Sequence, residues 1–116
     1  MYTLRVVMGP QDDAFTDSGI ATFLRETYSV TNEFDRMGCR LDGMPIQHVT
    51  DGNIISDGIA FGAIQVPTEG KPIIMMADRQ TTGGYTKIAN VISADFRLLS
   101  QIKAGDKVKF ERVSIQ

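Results

Sequence analysis

Between Asp78 and Tyr85 the chain reads Asp-Arg-Gln-Thr-Thr-Gly-Gly-Tyr, a run of polar hydrogen-bonding groups set between two apolar stretches. Arg79 is a planar fork of donors that suits a carboxylate or a phosphate. Gln80 both donates and accepts. Thr81 and Thr82 carry hydroxyls on stiff, β-branched stems. Gly83-Gly84 lets a ligand approach the backbone closely or permits positive φ. Tyr85 adds an aromatic wall with a polar tip. Together these residues suit a small planar ligand with amide and carboxylate edges. The competing reading is a hairpin or corner in which Thr and Gly satisfy the turn and Asp78–Arg79 is solvated. Spacing alone does not separate the two.

Other chemistries find less support. There is no G-x-x-x-x-G-K-[ST] loop and no G-x-G-x-x-G following a strand. His48 is the single histidine, with no cysteine or second histidine at ligand spacing, so no metal is expected. Cys39 is the single cysteine and cannot form an internal disulfide. It alternates with Met37 and Leu41 as an inward strand residue would, and reads as a small buried hydrophobe rather than a nucleophile. His48, between Gln47 and Val49, reads as a surface or hydrogen-bonded side chain rather than a base. Asp12-Asp13 precede the first expected helix, where carboxylates favour the helix start. Asp35-Arg36 reads as an exposed pair of little energetic weight.

A chain of 116 residues with 42% hydrophobic and 22% charged residues is long enough for one core, and residues 1–116 read as one domain without repeat or linker. The net charge is −2 and the Lys and Arg residues are scattered, which argues against a nucleic-acid surface. The start lacks a secretory apolar segment and no apolar run is long enough to span a bilayer. A cytoplasmic setting with no membrane partner is the expectation, consistent with the unpaired Cys39.

The elements that must position the polar run are mostly strands. Tyr2 to Met8 alternates, with Leu4, Val6 and Met8 on one face. Arg36 to Leu41, Ile46 to Val49, Ile59 to Val66, Ile73 to Ala77 and Val108 to Val113 follow, punctuated by Asp42-Gly43, Asp51-Gly52, Asp57-Gly58 and a Pro67 to Pro72 loop. Ile73 to Ala77 is continuously apolar, as in a strand buried on both faces. Thr16 can cap a helix that presents Ile20, Phe23 and Leu24. Ser93 can cap a second that presents Phe96, Leu99 and Ile102, with Gly105 past its end. This pattern predicts a mostly-β barrel plugged by two short helices, with a two-layer α+β sheet as the alternative.

The stretch from Ile55 to Asp95, and within it Gly62 to Tyr85, closely resembles the allophanate hydrolase subunit 2 family. That family is also described as the biotin-dependent carboxyltransferase domain, the 5-oxoprolinase C component, or the antagonist of the kinase inhibitor KipI. Leu4 to Phe15, Asp35 to Gly43 and Ala104 to Glu111 are similar to its other blocks, in the same order, so the resemblance covers nearly the whole chain. Members are longer, which implies a C-terminal domain here and fits the abrupt entry at Met1-Tyr2 into a strand. The fold implied is a cyclophilin-like closed β-barrel.

The function implied is membership of an ATP-dependent hydrolase complex that opens 5-oxoproline to glutamate. Its partner would be the first subunit of the same system, of the kind called allophanate hydrolase subunit 1 or the 5-oxoprolinase B component. The isolated domain would be inactive. The alternatives are transfer of a carboxyl group from carboxybiotin to urea, or a regulatory module that binds an inhibitor of a histidine kinase. With a small amide as substrate, Arg79, Gln80 and Thr82 are the expected catalytic residues. Gln65, Asp78, Thr81, Gly83, Gly84 and Tyr85 are the expected substrate contacts. The chain carries neither an ATP loop nor a biotinyl-lysine signature. ATP is therefore expected only at the level of the complex, and biotin only in the carboxyltransferase alternative. Cys39 and Thr86 depart from the family, which commonly has an aromatic residue and a proline there.

Overall fold

A computed structural model describes residues 1–9, 11–34, 37–49, 53–58, 61–76 and 82–113, with 53–58 and 82–84 described as backbone. The strands are β1 (Tyr2–Met8), β2 (Tyr28–Phe34), β3 (Gly38–Asp42), β4 (Asn53–Gly58), β5 (Ala63–Val66), β6 (Ile73–Met75), β7 (Thr82–Val91) and β8 (Lys107–Arg112). The helices are α1 (Asp17–Arg25) and the single turn α2 (Phe96–Leu99), with 3-10 turns at Asp12–Ala14 and Ser93–Asp95. The strand order is β1-β8-β2-β3-β6-β5-β7, and β7 pairs back onto β1. Seven strands thus close a barrel, and β4 lies along the first half of β7. Among the described residues all these pairings are antiparallel except β1–β8. Closure gives each barrel strand two neighbours and removes the open edge that an unclosed sheet would present. The mostly-β barrel with two short helices is the expected fold class.

The period-2 pattern of β1 places Leu4 and Val6 in the core and Thr3 and Arg5 outside. Opposite them, Ile64, Val66, Ile74, Ile88, Val108 and Phe110 complete the barrel interior. Helix α1 closes one end. Thr16 caps it as expected, its Oγ1 accepting from the Gly19 N–H at 2.9 Å, and Phe23 stacks on Phe110 with centroids 4.5 Å apart. Gly19 is required by close approach: a Cβ there would stand 2.3 Å from the Gln47 carbonyl oxygen. Leu99 and Ile102 are buried, and Gly105 turns the chain into β8 with φ of 93°.

Where β7 ends opposite Val6, β1 continues, and the backbone of Arg5 loses its strand partner on that side. The Ser93–Asp95 turn supplies the missing bonds. The Ile92 N–H donates to the Arg5 carbonyl at 3.0 Å, and the Asp95 carboxylate accepts from the Arg5 backbone N–H at 2.9 Å. The same carboxylate takes the Arg5 guanidinium in a fork, at 3.0 and 2.6 Å. Asp95 is buried while the Arg5 side chain is half exposed.

Several expectations are corrected. Tyr28–Phe34 is a strand that the sequence reading passed over, because Tyr28 and Val30 face the core between polar neighbours. Ile46 to Val49 is not a strand. It follows Pro45, and only His48 makes an isolated bridge, to Phe15. Asp57-Gly58 is not a turn but the end of β4, opposite Gly83 and Thr82. Within the described part of Ile59 to Val66, Phe61-Gly62 is a turn and Ala63–Val66 is strand. Ser93 does not cap the second helix: the turn starts from Ile92 without a side-chain cap. The acid in the first turn of α1 is Asp17, with Asp12-Asp13 in a separate 3-10 turn. Met37 is exposed, so the inward alternation begins at Cys39. Asp35-Arg36, Asp51-Gly52, Ile59-Ala60 and Ala77 lie outside the described residues. No helix among the described residues is long and apolar enough to cross a membrane.

The Asp95 clamp generates a stability prediction. Its carboxyl is held below the usual carboxylate range, chiefly by the side-chain hydrogen bond from Arg5. A carboxyl whose folded value is depressed stabilises the fold above its unfolded value of about 4, and the stabilisation is lost as pH falls through the folded value. Asp95→Ala removes this and leaves the Arg5 N–H unpaired, so urea titration at pH 7 should show a loss of about 1–3 kcal/mol. The difference from the parent should shrink steadily below about pH 4.

Candidate functional site

Three cross-strand pairings set four residues in one row over the barrel wall. Arg40 of β3 stands opposite Ile73 of β6, Ile73 opposite Gln65 of β5, and Gln65 opposite Lys87 of β7. Directly opposed residues share a face. Their chain neighbours Leu41, Ile74, Ile64, Val66 and Ile88 all point into the core, so this row lies on the outer face. It is not a solvated face. Ala63, Ile73 and Met75 form a second, separate buried apolar cluster there.

The placement of Lys87 depends on an irregularity. Ile64 pairs with Ala89, but the next residue, Gln65, pairs with Lys87. One extra residue of β7 is accommodated at Ile88, and both Ile88 and Ala89 lie in the core cluster. With strict alternation from Ala89, Lys87 would point into the barrel. The extra residue turns it outward, beside Gln65. The backbone groups freed at this point are satisfied by the segment after β1. Gln11 Oε1 accepts the Lys87 N–H at 2.9 Å, and the Gly9 N–H donates to the Ile88 carbonyl at 2.9 Å.

Gln65 is 5% exposed and Lys87 is 6% exposed. The Nε2 of Gln65 is fully buried and has no hydrogen-bond partner among the described residues. Buried side-chain donors are almost always paired, and leaving one unpaired costs about 1–3 kcal/mol. A carboxamide held this way is a buried donor without an acceptor of its own among the described residues. Two residues back along β7 and on the same face stands Tyr85, and Pro67 follows directly on β5. Tyr85 is 41% exposed. Together with Arg40, Thr68 and Glu69 they line a cavity of about 610 Å³. A second cavity of about 510 Å³ shares Arg40 and Glu69 with it and carries charges of both signs: Arg40 pairs with Glu33 at 3.2 Å and Lys71 with Asp42 at 2.8 Å. The hydrogen bond from Lys71 holds the Asp42 carboxyl below its usual range.

His48 supports this wall from behind. Its Nε2 lies 2.8 Å from the Val66 carbonyl oxygen, and its ring packs on Phe15 with centroids 4.8 Å apart. A carbonyl oxygen only accepts, so Nε2 carries the proton. His48 is therefore one of the hydrogen-bonded kind, anchoring the residue next to Gln65. Cys39 is 1% exposed, and burial pushes its thiol up to about 12. It is a core side chain with no thiolate at neutral pH.

Of the residues expected at the site, Gln65 and Tyr85 are brought to one face, in and beside the row. Asp78, Arg79, Gln80 and Thr81 lie outside the described residues. Thr82, Gly83 and Gly84 open β7, with Thr82 opposite Gly58 and Gly83 opposite Asp57, so they form a two-stranded ribbon rather than a turn. Lys87 and Arg40 were missed. For Gln65 a signal existed, since it interrupts an apolar run. What places Lys87 beside it is the shifted register, which only the pairing reveals.

With this geometry in place, the comparisons with known proteins become informative. Residues 1–112 match the family described as carboxyltransferase domain, subdomain A and B. The chain is 42% identical to the 5-oxoprolinase C component of Haemophilus influenzae over 113 residues, 97% of this chain and 37% of that protein. It is 37% identical to the 5-oxoprolinase C component of Escherichia coli, again over 97% of this chain and 36% of the relative. In structure it is similar to the Kluyveromyces lactis urea carboxylase, with TM-score 0.90 and 25% identity over 97% of this chain and 11% of that one. The chain thus spans little more than a third of the curated relatives it matches.

The unpaired amide makes a prediction of unusual sign. Gln65→Leu removes a buried orphan donor at nearly constant volume. It should leave stability unchanged or raise it by about 1 kcal/mol in chemical denaturation. A loss above about 2 kcal/mol would make Gln65 a structural residue.

Proposed function

The chain belongs to the carboxyltransferase domain family, subdomain A and B, and from that premise we propose that it forms one wall of a composite amide site in an ATP-dependent complex that opens 5-oxoproline to glutamate. The observation that carries this reading is the buried carboxamide NH2 of Gln65, without a partner among the described residues, on the face of the barrel that also bears Tyr85. A lactam carbonyl is an acceptor of the right kind for it, and charge grows on that oxygen as the ring is attacked. A donor fixed in advance in a water-poor setting favours that change. Tyr85 offers a flat flank to the ring.

In this reading Arg79 takes the carboxylate of 5-oxoproline as a fork, and Gln80 and Thr82 orient the amide. Asp78, Thr81, Gly83 and Gly84 complete the contacts. The names of the Haemophilus and Escherichia relatives support the choice of substrate. The chain's residues do not fit ATP, since no phosphate-cradling loop is present in its sequence. ATP chemistry belongs to a partner of the first-subunit type, and the isolated chain is inactive. The second reading, carboxyl transfer from carboxybiotin to urea, is supported by the family description and by the likeness to urea carboxylase. It uses the same amide contacts, and the chain carries no biotinyl-lysine.

The test is 5-oxoproline-dependent ADP release, coupled to glutamate, by the full-length protein mixed with its partner subunits. Gln65→Leu and Arg79→Ala should each lower kcat/KM about 100-fold with the fold retained. Release dependent on urea instead would move the assignment to the second reading. No release with either amide, despite a stable complex, would overturn both in favour of the regulatory module.

A further inference from the structure

We infer that Arg40 and Glu69 hold the two charged groups of a free α-amino acid in the cavity flanked by Tyr85. The inference deepens the 5-oxoproline reading and rests on it for the identity of the amino acid, which is then the glutamate released by ring opening. The cavity of about 610 Å³ carries one cation and one carboxylate on its lining, Arg40 and Glu69, beside Pro67, Thr68 and Tyr85. Both charged residues also line the neighbouring cavity of about 510 Å³, so they stand where the two meet. They do not close on each other. Arg40 meets Glu33 through Nε at 3.2 Å, and both of those side chains are exposed. An exposed pair of this kind holds weakly. A guanidinium has five donors in a fork, so one contact at Nε does not exhaust it. Glu69 makes no ion pair among the described residues. The Lys71 ammonium is held by Asp42 at 2.8 Å and acts on Glu69 only as a neighbouring charge.

Opposite charges kept apart on one cavity wall select what can settle between them. A simple carboxylate gains from Arg40 and is repelled by Glu69. A simple amine meets the reverse. A molecule with an ammonium and a carboxylate on one carbon satisfies both at once, through charge-assisted hydrogen bonds. The partly exposed ring of Tyr85 gives a flat face to its side chain. The volume lies within the range of small-molecule sites and leaves room for a side chain as long as that of glutamate. The lactam of the proposed reaction lacks half of this chemistry. 5-Oxoproline has the carboxylate, but its ring nitrogen is an uncharged amide and offers Glu69 no cation. Opening the ring breaks the C–N bond. The acyl carbon takes the hydroxyl of water. The nitrogen takes water's other proton and the proton shed by the new carboxyl, and becomes an ammonium. The product therefore matches the cavity where the substrate does not, and Arg40 and Glu69 are the binding residues that tell them apart.

The experiment is isothermal titration of the full-length protein with L-glutamate, L-alanine, glutarate, 4-aminobutyrate and 5-oxoproline. L-Glutamate should bind saturably, and L-alanine with it. Glutarate lacks the ammonium, and 4-aminobutyrate carries its charges on different carbons. Each should bind at least about 10-fold more weakly than L-glutamate. Arg40→Gln and Glu69→Gln should each weaken L-glutamate by a similar factor. Glu69→Gln should leave 5-oxoproline binding unchanged, and Glu33→Gln should leave L-glutamate binding intact or tighter. If Arg40→Gln does not fold, the contrast between L-glutamate and 5-oxoproline in Glu69→Gln decides alone. No binding of L-glutamate, or glutarate bound as tightly, overturns the inference. L-Glutamate binding that Gln65→Leu abolishes and both charge variants leave intact would overturn it while leaving the amide reading standing. L-Glutamate held through Arg40 and Glu69, with no 5-oxoproline-dependent ADP release from the assembled complex, would uphold the amino-acid site and overturn the 5-oxoproline reading.

Discussion

The one-residue shift in register between β5 and β7 decides what the outer face of this barrel is. Before it, β7 follows simple alternation, and Ala89 and Val91 belong to the core. On the other side of it, Lys87 and Tyr85 stand outward, with Lys87 level with Gln65. Without the shift a lysine would be driven into the barrel interior, where an ammonium among Leu4, Val6 and Ile64 would be prohibitively costly. With it, the same side chain joins an amide and an aromatic on one wall. A bulge is a local departure from the ladder, and here it separates the strand that builds the core from the strand that builds the site.

The shift holds because its neighbours absorb the consequences. A bulge frees backbone groups, and buried backbone groups must be paired. Gln11 and Gly9, just past the end of β1, provide the pairing at Lys87 and Ile88. That segment is positioned because β1 closes the barrel on β7, and β1 is in turn clamped by Asp95 where β7 runs out. On the other side, His48 fixes the carbonyl of Val66, one residue from Gln65. Barrel closure, the Asp95 clamp and the His48 tether are therefore not independent decorations of the core. Closure holds β7 against β1, the clamp holds β1, and the tether holds the end of β5, so the strands that bear Lys87 and Gln65 are both fixed.

The sequence carried the fold class and several local devices. β1 alternated cleanly, Thr16 capped α1, and the apolar runs of β5 and β6 announced buried strands. Gln65 and Tyr85, both expected at the site, stand out as polar groups inside or beside apolar runs, and the structure sets them on one face of the barrel. Three things were not legible, each for a physical reason. β2 was invisible because its inward residues, Tyr28 and Val30, alternate with ordinary polar ones and lack strong turn signals. Gly83-Gly84 suggested a turn because glycine is permissive, yet permissive is not obligatory: pairing with β4 holds this stretch extended. Lys87 could not be placed at all, since its face is set by a register shift encoded in no local motif. Arg40 was missed for the related reason that its neighbour in the row, Ile73, is thirty-three positions away in the chain.

The cost of an unpaired amide argues about purpose. Simple replacement by leucine would relieve it at the same volume, so packing alone does not call for a glutamine at position 65. Nor does solubility, since the group is out of reach of water. The second apolar cluster of Ala63, Ile73 and Met75 shows that the outer face is dry around it. Dryness strengthens any hydrogen bond made there and raises the penalty while none is made. Under the proposed function, a donor kept in that condition is the group that an oxygen of the amide substrate would pair. The same physical fact that makes Gln65 a weak point in the folded chain is what gives a new hydrogen bond to it its value.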